Sequence, residues 1–256
     1  RVYFEVVFNG SQPAPEFIIT GGGNEITQTL NSKAGILYGK HSFSGVDFEG
    51  TFYIGDSSDD DYAGFVFGYQ SSKTFYVVMW KRADQNWWNG DNSLGLAGLQ
   101  LKRVHSITGP TIELSDALWG TKNTTDQVTL LWHDSNQIAW EPFISYRWQL
   151  IHRPHIGLIR FRFLEGAIVI VDSGNIYEDG IVGGRLGAYY QSQEDVTFSN
   201  LEYSCNDYSV PQEVYDDLPA DKQLNVTVDT STLWVGKTKA FNKKKKTLVA
   251  LYEPGF

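Results

Sequence analysis

Cysteine is almost missing from this chain of 256 residues: Cys205 stands alone, so no disulfide can close within it. A lone cysteine is either a small buried thiol or, in an extracellular protein, half of a bond to something outside the chain. Long apolar runs are missing too, and without some 18 such residues in a row there is no transmembrane segment. Positive charge is in deficit. The formal net charge of −9 argues against binding along a phosphate backbone, and hence against nucleic acid. The opening "RVYFEVVFNG" reads as strand and lacks the basic, apolar and small-residue layout of a signal peptide. Any export signal is therefore expected to have been removed or to lie outside this piece.

Catalytic motifs are also lacking. No G-x-S-x-G elbow, phosphate-binding glycine loop or H-E-x-x-H stands in the sequence. Glycosidases built on sandwich folds place two carboxylates about 5 Å apart, on an E-x-D-x-x-E strand. Here Gly45 and Gly50 occupy the two catalytic places around Asp47, and Pro154 separates His152 from His155 in any helical register. A non-catalytic protein is expected.

What is abundant is strand. "VDFEGTFYI", "GFVFGYQ", "TFYVVMW", "QVTLLWHD", "YRWQLIHR", "LIRFRFLEG" and "RLGAYYQS" are short, rich in aromatic and β-branched residues, and separated by Gly, Asp, Asn, Ser or Pro clusters. Eight Trp supply a sizeable core. The spacing predicts an all-β antiparallel sandwich or jelly roll. In "LIRFRF", alternation places Ile159, Phe161 and Phe163 inside and Arg160 and Arg162 in solvent. One helical turn is expected at "IELSDALWG", capped by Ser115 and stopped by Gly120. From Asn206 the acidic, aperiodic "NDYSVPQEVYDDLPADKQ" reads as a linker, which sets residues 1–207 as one domain and 208–256 as an extension. "TLVALYEPGF" in that extension is strand-forming and would be an aggregation hazard if left free. Residues from Lys222 onward are expected to dock as strands, on this sandwich or on a neighbouring subunit.

Three sequons, at Asn9, Asn123 and Asn225, suit a secreted glycoprotein. Two stretches bear on binding. Asp56, Asp59, Asp60 and Asp61 crowd a Ser-rich turn between strands, where oxygen ligands could gather around a calcium ion or simply solubilise a loop. Asp47 and Glu49, two apart on a strand, share a face and offer a second candidate site. Trp87 and Trp88 sit beside Asn89, Asp91 and Asn92, a mixture suited either to stacking on a glycan ring or to covering a sandwich edge.

The phrases "EITQTLNS", "GVDFEGTFYI", "DDDYAGFVFGYQSSKTFYVVMWKR", "LKRVHSITGP", "ALWGTKNTTDQVTLLWHD", "SYRWQLIHRP", "DSGNIY" and "GGRLGAYYQSQEDVTFSNLEYSCND" together resemble the C-terminal domain of thrombospondins, in that family's order from about Glu25 to Asp207. The resemblance implies a lectin-like, concanavalin-type sandwich that is secreted, binds calcium and acts in adhesion and matrix assembly. Its partners would be extracellular matrix proteins or cell-surface receptors. It favours calcium at the Asp56–Asp61 turn. It also associates "FYVVMWK" with receptor binding, through the outward residues among Phe75 and Tyr76 and the Lys81, Arg82 end. The family's "YxCxD" cysteine pairs with a cysteine in acidic calcium repeats that precede the domain. Cys205 matches it, and no such repeat stands in this sequence, so its partner would lie outside the chain.

Overall fold

In the computed structural model, residues 2–6, 12–56, 58–87, 93–230, 234 and 237–238 are described. The strands follow in chain order: β1 (Val2–Val6), β2 (Phe17–Thr20), β3 (Glu25–Gln28), β4 (Gly35–Phe43), β5 (Val46–Ile54), β6 (Tyr62–Ser71) and β7 (Thr74–Lys81). After the short β8 (Gln85–Asn86) and β9 (Leu94–Gly95) come β10 (Gly98–His105), helix α1 (Ile112–Trp119), β11 (Val128–His133), β12 (Ser145–Arg153) and β13 (Leu158–Glu165). Then come β14 (Ile168–Asp172), β15 (Ile176–Tyr177), β16 (Gly184–Gln191) and β17 (Val196–Cys205). The extension holds β18 (Ser209–Val210), α2 (Gln212–Asp216), α3 (Ala220–Gln223), β19 (Thr227–Val228) and β20 (Lys237–Thr238).

The front sheet runs β1-β4-β16-β6-β7-β10-β11 and the back sheet β2-β3-β17-β5-β12-β13-β14-β20, with β15 beside β13. Apart from β20, pairing within the sandwich is antiparallel, as the short apolar runs between turn residues require. The main core lies between the sheets. Phe65, Tyr76 and Trp80 of the front sheet meet Phe52, Trp148 and Phe163 of the back sheet there, and Ile159 and Phe161 point inward as the alternation predicts.

A second core covers the outside of the front sheet. Leu114, Ala117, Leu118 and Trp119 of α1 pack with Phe75, Val77, Met79 and Tyr62. A strand with apolar neighbours on both faces reads as a continuous apolar run, which is why "TFYVVMW" shows no clean alternation. The helix begins earlier than expected: Thr111 is its N-cap, and Ser115 lies buried in its interior. Gly120 does end it, its N–H donating to Asp116 O.

A third core corrects the reading of the extension. Val210, Val214 and Leu218 pack on Ile151, Ile156 and Leu158, on the outside of the back sheet. The segment expected as a linker is thus a docked cover, whose two short helices each begin after a proline, Pro211 and Pro219. Arg160 and Arg162, expected in solvent, are buried because this cover lies over them. Arg160 bonds to Asp172 at 2.9 Å and to Asp217 at 2.9 Å, and Arg162 lies 3.7 Å from the centre of the Trp234 ring. Arg153 fastens the start of the cover, donating to Ser209 O from Nε (2.8 Å) and to Val46 O from Nη1 (2.9 Å). Of the expected strand docking, β20 pairs with Ile168–Val169 of β14, in parallel. "TLVALYEPGF" lies outside the described residues.

Candidate functional site

The acidic turn joins β5 to β6 and is shaped by its own side chains. Asp56 Oδ2 accepts from Ser58 Oγ (2.7 Å) and from the Asp59 N–H (2.9 Å), an arrangement that holds the chain in a tight bend. Asp59 Oδ1 accepts from the Asp60 N–H (3.0 Å), and its Oδ2 from the Glu194 N–H (3.0 Å). The Asp61 N–H donates to Gln193 Oε1 (2.8 Å). The loop after β16 therefore pins the turn from the far side. Asp59, Asp60 and Asp61 offer one carboxylate oxygen each within 4.8 Å of one another.

Lys81 ends β7 directly beneath this cluster. Its Nζ donates to Asp61 Oδ1 (2.6 Å) and to Gln85 Oε1 (2.8 Å), and lies 4.4 Å from the Trp119 ring centre. One ammonium does not balance the carboxylates around it. Burial first, and then the neighbouring Asp61, push the Asp59 carboxyl up to about 7, although the Glu194 and Asp60 N–H groups pull the other way. Burial also raises Asp61, against the opposing pull of Lys81. Negative charge at this turn is under-compensated.

The remaining candidate residues are dispersed. Asp47 and Glu49 do share the outer face of β5, but each is committed to an arginine. Asp47 Oδ1 lies 2.6 Å from Arg153 Nη2, and Glu49 is paired with Arg147. These arginines supply the positive charge that a second metal would bring, and neither carboxylate reaches the acidic turn's cluster. Phe75, Tyr76 and Lys81 are buried completely, because β7 is enclosed on both faces, so the expectation that they touch a partner is withdrawn. Arg82 is half-buried, with its guanidinium 5.6 Å from the Trp140 ring centre. Trp87 is buried against Trp119 at 4.9 Å and closes the second core, so it offers no stacking face to a sugar. Trp88 and Asn9 lie outside the described residues. Asn123, Asn225 and Cys205 are exposed. Nothing in the local pattern marks Gln193, Glu194 and Asn31 as flanking the acidic turn, since they lie far from it along the chain and only the sheet topology brings them there.

A mostly β, two-sheet module with a half-buried acidic turn is the class that fold and site define. Residues 12–207 match the thrombospondin C-terminal region, and the chain belongs to that family. It is 47% identical over 218 residues to thrombospondin-4 of Bos taurus, covering 83% of this chain and 23% of that protein. Thrombospondin-3 of Homo sapiens gives 47% over 218 residues, again 83% of this chain and 23% of the relative. Thrombospondin-3b of Danio rerio gives 48% over 205 residues, 79% of this chain and 22% of the relative. The chain thus spans less than a quarter of the length of these relatives. Among solved structures, carbohydrate binding module CBM66 from Bacillus subtilis is similar at TM-score 0.48 and 8% identity, covering 77% of this chain and 99% of that one. Basic winged bean lectin is similar at TM-score 0.42 and 8% identity, over 80% and 98%. The chain is an extracellular, non-catalytic module of the thrombospondin family. No helix among the described residues is long and apolar enough to cross a membrane.

Proposed function

We propose that this chain is an adhesion and matrix-assembly module whose loop end is fixed by calcium at the Asp59–Asp61 turn, with Asp56 shaping the turn. The carrying observation is the set of three carboxylates within 4.8 Å of one another, one of them pushed up to about 7 by burial and like charge. Hard oxygen donors suit a hard cation, and a dication would relieve the repulsion that Lys81 leaves unbalanced. Bound there, calcium would supply positive charge between β6 and the loop after β16, stiffening that end of the sandwich. Extracellular modules of this kind bind calcium at roughly 0.1 to 1 mM.

The partners that fit this reading are matrix proteins or cell-surface receptors, met on surface outside the buried β7. The finer architecture, a concanavalin-type jelly roll, is part of the same reading. So is a disulfide from the exposed Cys205 to a cysteine outside the chain. Thermal unfolding with calcium and with a chelator tests the metal. Melting should rise in millimolar calcium, and Asp59→Asn/Asp60→Asn should abolish that rise. Identical melting in both conditions would sink the proposal.

A further inference from the structure

Arg160 and Arg162 lie two residues apart on β13 and share the outer face of the back sheet, beneath the docked extension. Their guanidinium groups are satisfied differently. In Arg160 one carboxylate fills the fork formed by Nε and Nη2, with Nε donating to Asp172 Oδ1 and Nη2 to Asp172 Oδ2, both at 2.9 Å. Arg162 presents the same fork and is 2% exposed, yet neither its Nε nor its Nη2 has an acceptor among the described residues. Its one carboxylate contact is made from the other edge, Nη1 to Glu213 Oε2 at 3.4 Å, near the limit of a hydrogen bond.

The side chains across from this fork are engaged elsewhere. Asp172 sits opposite Arg162 on β14, but both its oxygens accept from Arg160. Gln149 sits opposite on β12 and turns its amide nitrogen to Glu49. Over the guanidinium lies the Trp234 ring, its centre 3.7 Å from Cζ. An indole face attracts the cation without accepting in the plane of its N–H groups, and Trp234 Nε1 is itself a buried donor with no acceptor among the described residues. Three donors on two stacked side chains thus have nothing there to accept from them. Burial holds the Arg162 pKa down to about 10, against the pull of Glu213, so the group stays cationic at neutral pH. Trp234 is also the part that can leave. It is half-buried at the margin of the third core, and the chain beyond it is tied by two residues of β20, which pair with Ile168 and Val169 on β14.

We propose that the Arg162 fork receives a side-chain carboxylate from an extended peptide segment of a protein partner, with Trp234 as the lid that this peptide displaces. A carboxylate offers only acceptors and can take both N–H groups of the fork at once, as Asp172 does at Arg160. The strand order favours a peptide as its carrier. When Trp234 and β20 lift away, the edge of β14 at Ile168 and Val169 is left without its neighbour, and the same strand runs on to Asp172, opposite Arg162. An extended segment added to that edge passes the fork. Surrounding charge selects against a polyanion, because the Glu213 and Asp217 side chains, each more than half exposed, stand beside the two arginines. A single carboxylate in an otherwise neutral segment meets far less repulsion.

Isothermal titration calorimetry of the full chain, in chelator, with a blocked pentapeptide of sequence VTEVT tests this. One site is expected, with a Kd of roughly 0.1 to 1 mM for so short a segment. The VTQVT peptide should bind about tenfold more weakly or worse, and Arg162→Lys, which keeps the charge but not the fork, should lose a similar factor for VTEVT. Trp234→Ala removes the lid and should tighten VTEVT binding several-fold, since the competent state no longer has to be opened. If Arg162→Lys does not fold, that tightening, with VTQVT still weak, decides the question. The proposal is overturned by the absence of binding at about 5 mM peptide, by equal affinity for the two peptides, by unchanged binding in folded Arg162→Lys, or by unchanged or weaker binding in Trp234→Ala. Acetate that binds as tightly as VTEVT would overturn the peptide as carrier of the carboxylate. Heparin binding that is lost in Arg162→Lys would overturn the class of partner.

Discussion

The Lys81 ammonium lies 2.6 Å from Asp61 Oδ1, and neither side chain is more than 6% exposed. Burying such a pair costs desolvation on both sides, and removing one member leaves the other's charge stranded. Lys81→Met is therefore expected to destabilise the fold by about 3 to 5 kcal/mol in chelator. Calcium at the neighbouring carboxylates should recover part of that loss. Chemical denaturation with and without the metal measures both effects, and equal losses in the two conditions would separate Lys81 from the metal site.

Calcium affinity should climb with pH until Asp59 is ionised. The carboxyl that must bind the cation is pushed up to about 7, so metal binding has to release its proton below that value. Without metal the sign is opposite. A folded pKa raised above the ordinary 3.8 gives stability that is fully present below about 4 and lost as pH rises toward about 7. Asp59→Asn should flatten this apo slope and remove the calcium response together. Melting scans between pH 4 and 8, with calcium and with chelator, check both signs.

His152 carries a separate pH dependence. It lies in the main core with its ring centre 5.1 Å from that of Phe67, its Nε2 unpartnered, and burial followed by the adjacent Arg153 holds its pKa down to about 3. It is neutral when folded and takes up a proton on unfolding below about 6.5. Stability from this group is present above 6.5 and is lost as pH falls from there toward 3, at about 1.4 kcal/mol per pH unit for one proton. His152→Phe should reduce that slope without loss of fold, as read by urea unfolding at several pH values.

The docked extension should be indispensable. Truncation after Asp207 would uncover Ile151, Ile156 and Leu158 and strip Arg160 of Asp217 and Glu213. The truncated chain is expected to aggregate, or to melt at least 10 °C lower. A milder variant, Val214→Ala, should cost about 2 kcal/mol as a buried apolar truncation. A truncated chain that melts like the parent would show the cover to be passive.

Asn123 is the sequon best placed for a glycan. It is exposed, and its Oδ1 accepts from the Leu130 N–H at 2.7 Å. Mass analysis of secreted material should find it modified, and an unmodified Asn123 would count against the assignment.

The sheets were legible in the sequence because each strand carries its own apolar and aromatic pattern; "VDFEGTFYI" is β5 from its first residue to its last. The acidic turn was legible as well, since consecutive aspartates need no topology to be neighbours. What the sequence concealed depends on the layers outside the sandwich. Lys81 and Arg162 occupy positions that alternation or strand ends assign to solvent, and only the packing of α1 over one sheet and of α2 over the other buries them. Trp87 shares that cause: its loop looks free until Trp119 is placed beneath it. The cover itself was hidden because helices of five and four residues are too short to show a period.

Arg153 has a mechanical consequence. Its guanidinium holds Ser209 O on one side and Val46 O and the Asp47 carboxylate on the other, so it clamps the root of the extension to the middle of the back sheet. Tension applied from the C-terminal side would load β20, then Trp234 and the two short helices, and would reach β5 only after breaking those bonds. The extension would then act as a mechanical fuse, yielding in small steps while the sandwich and its acidic turn stay folded.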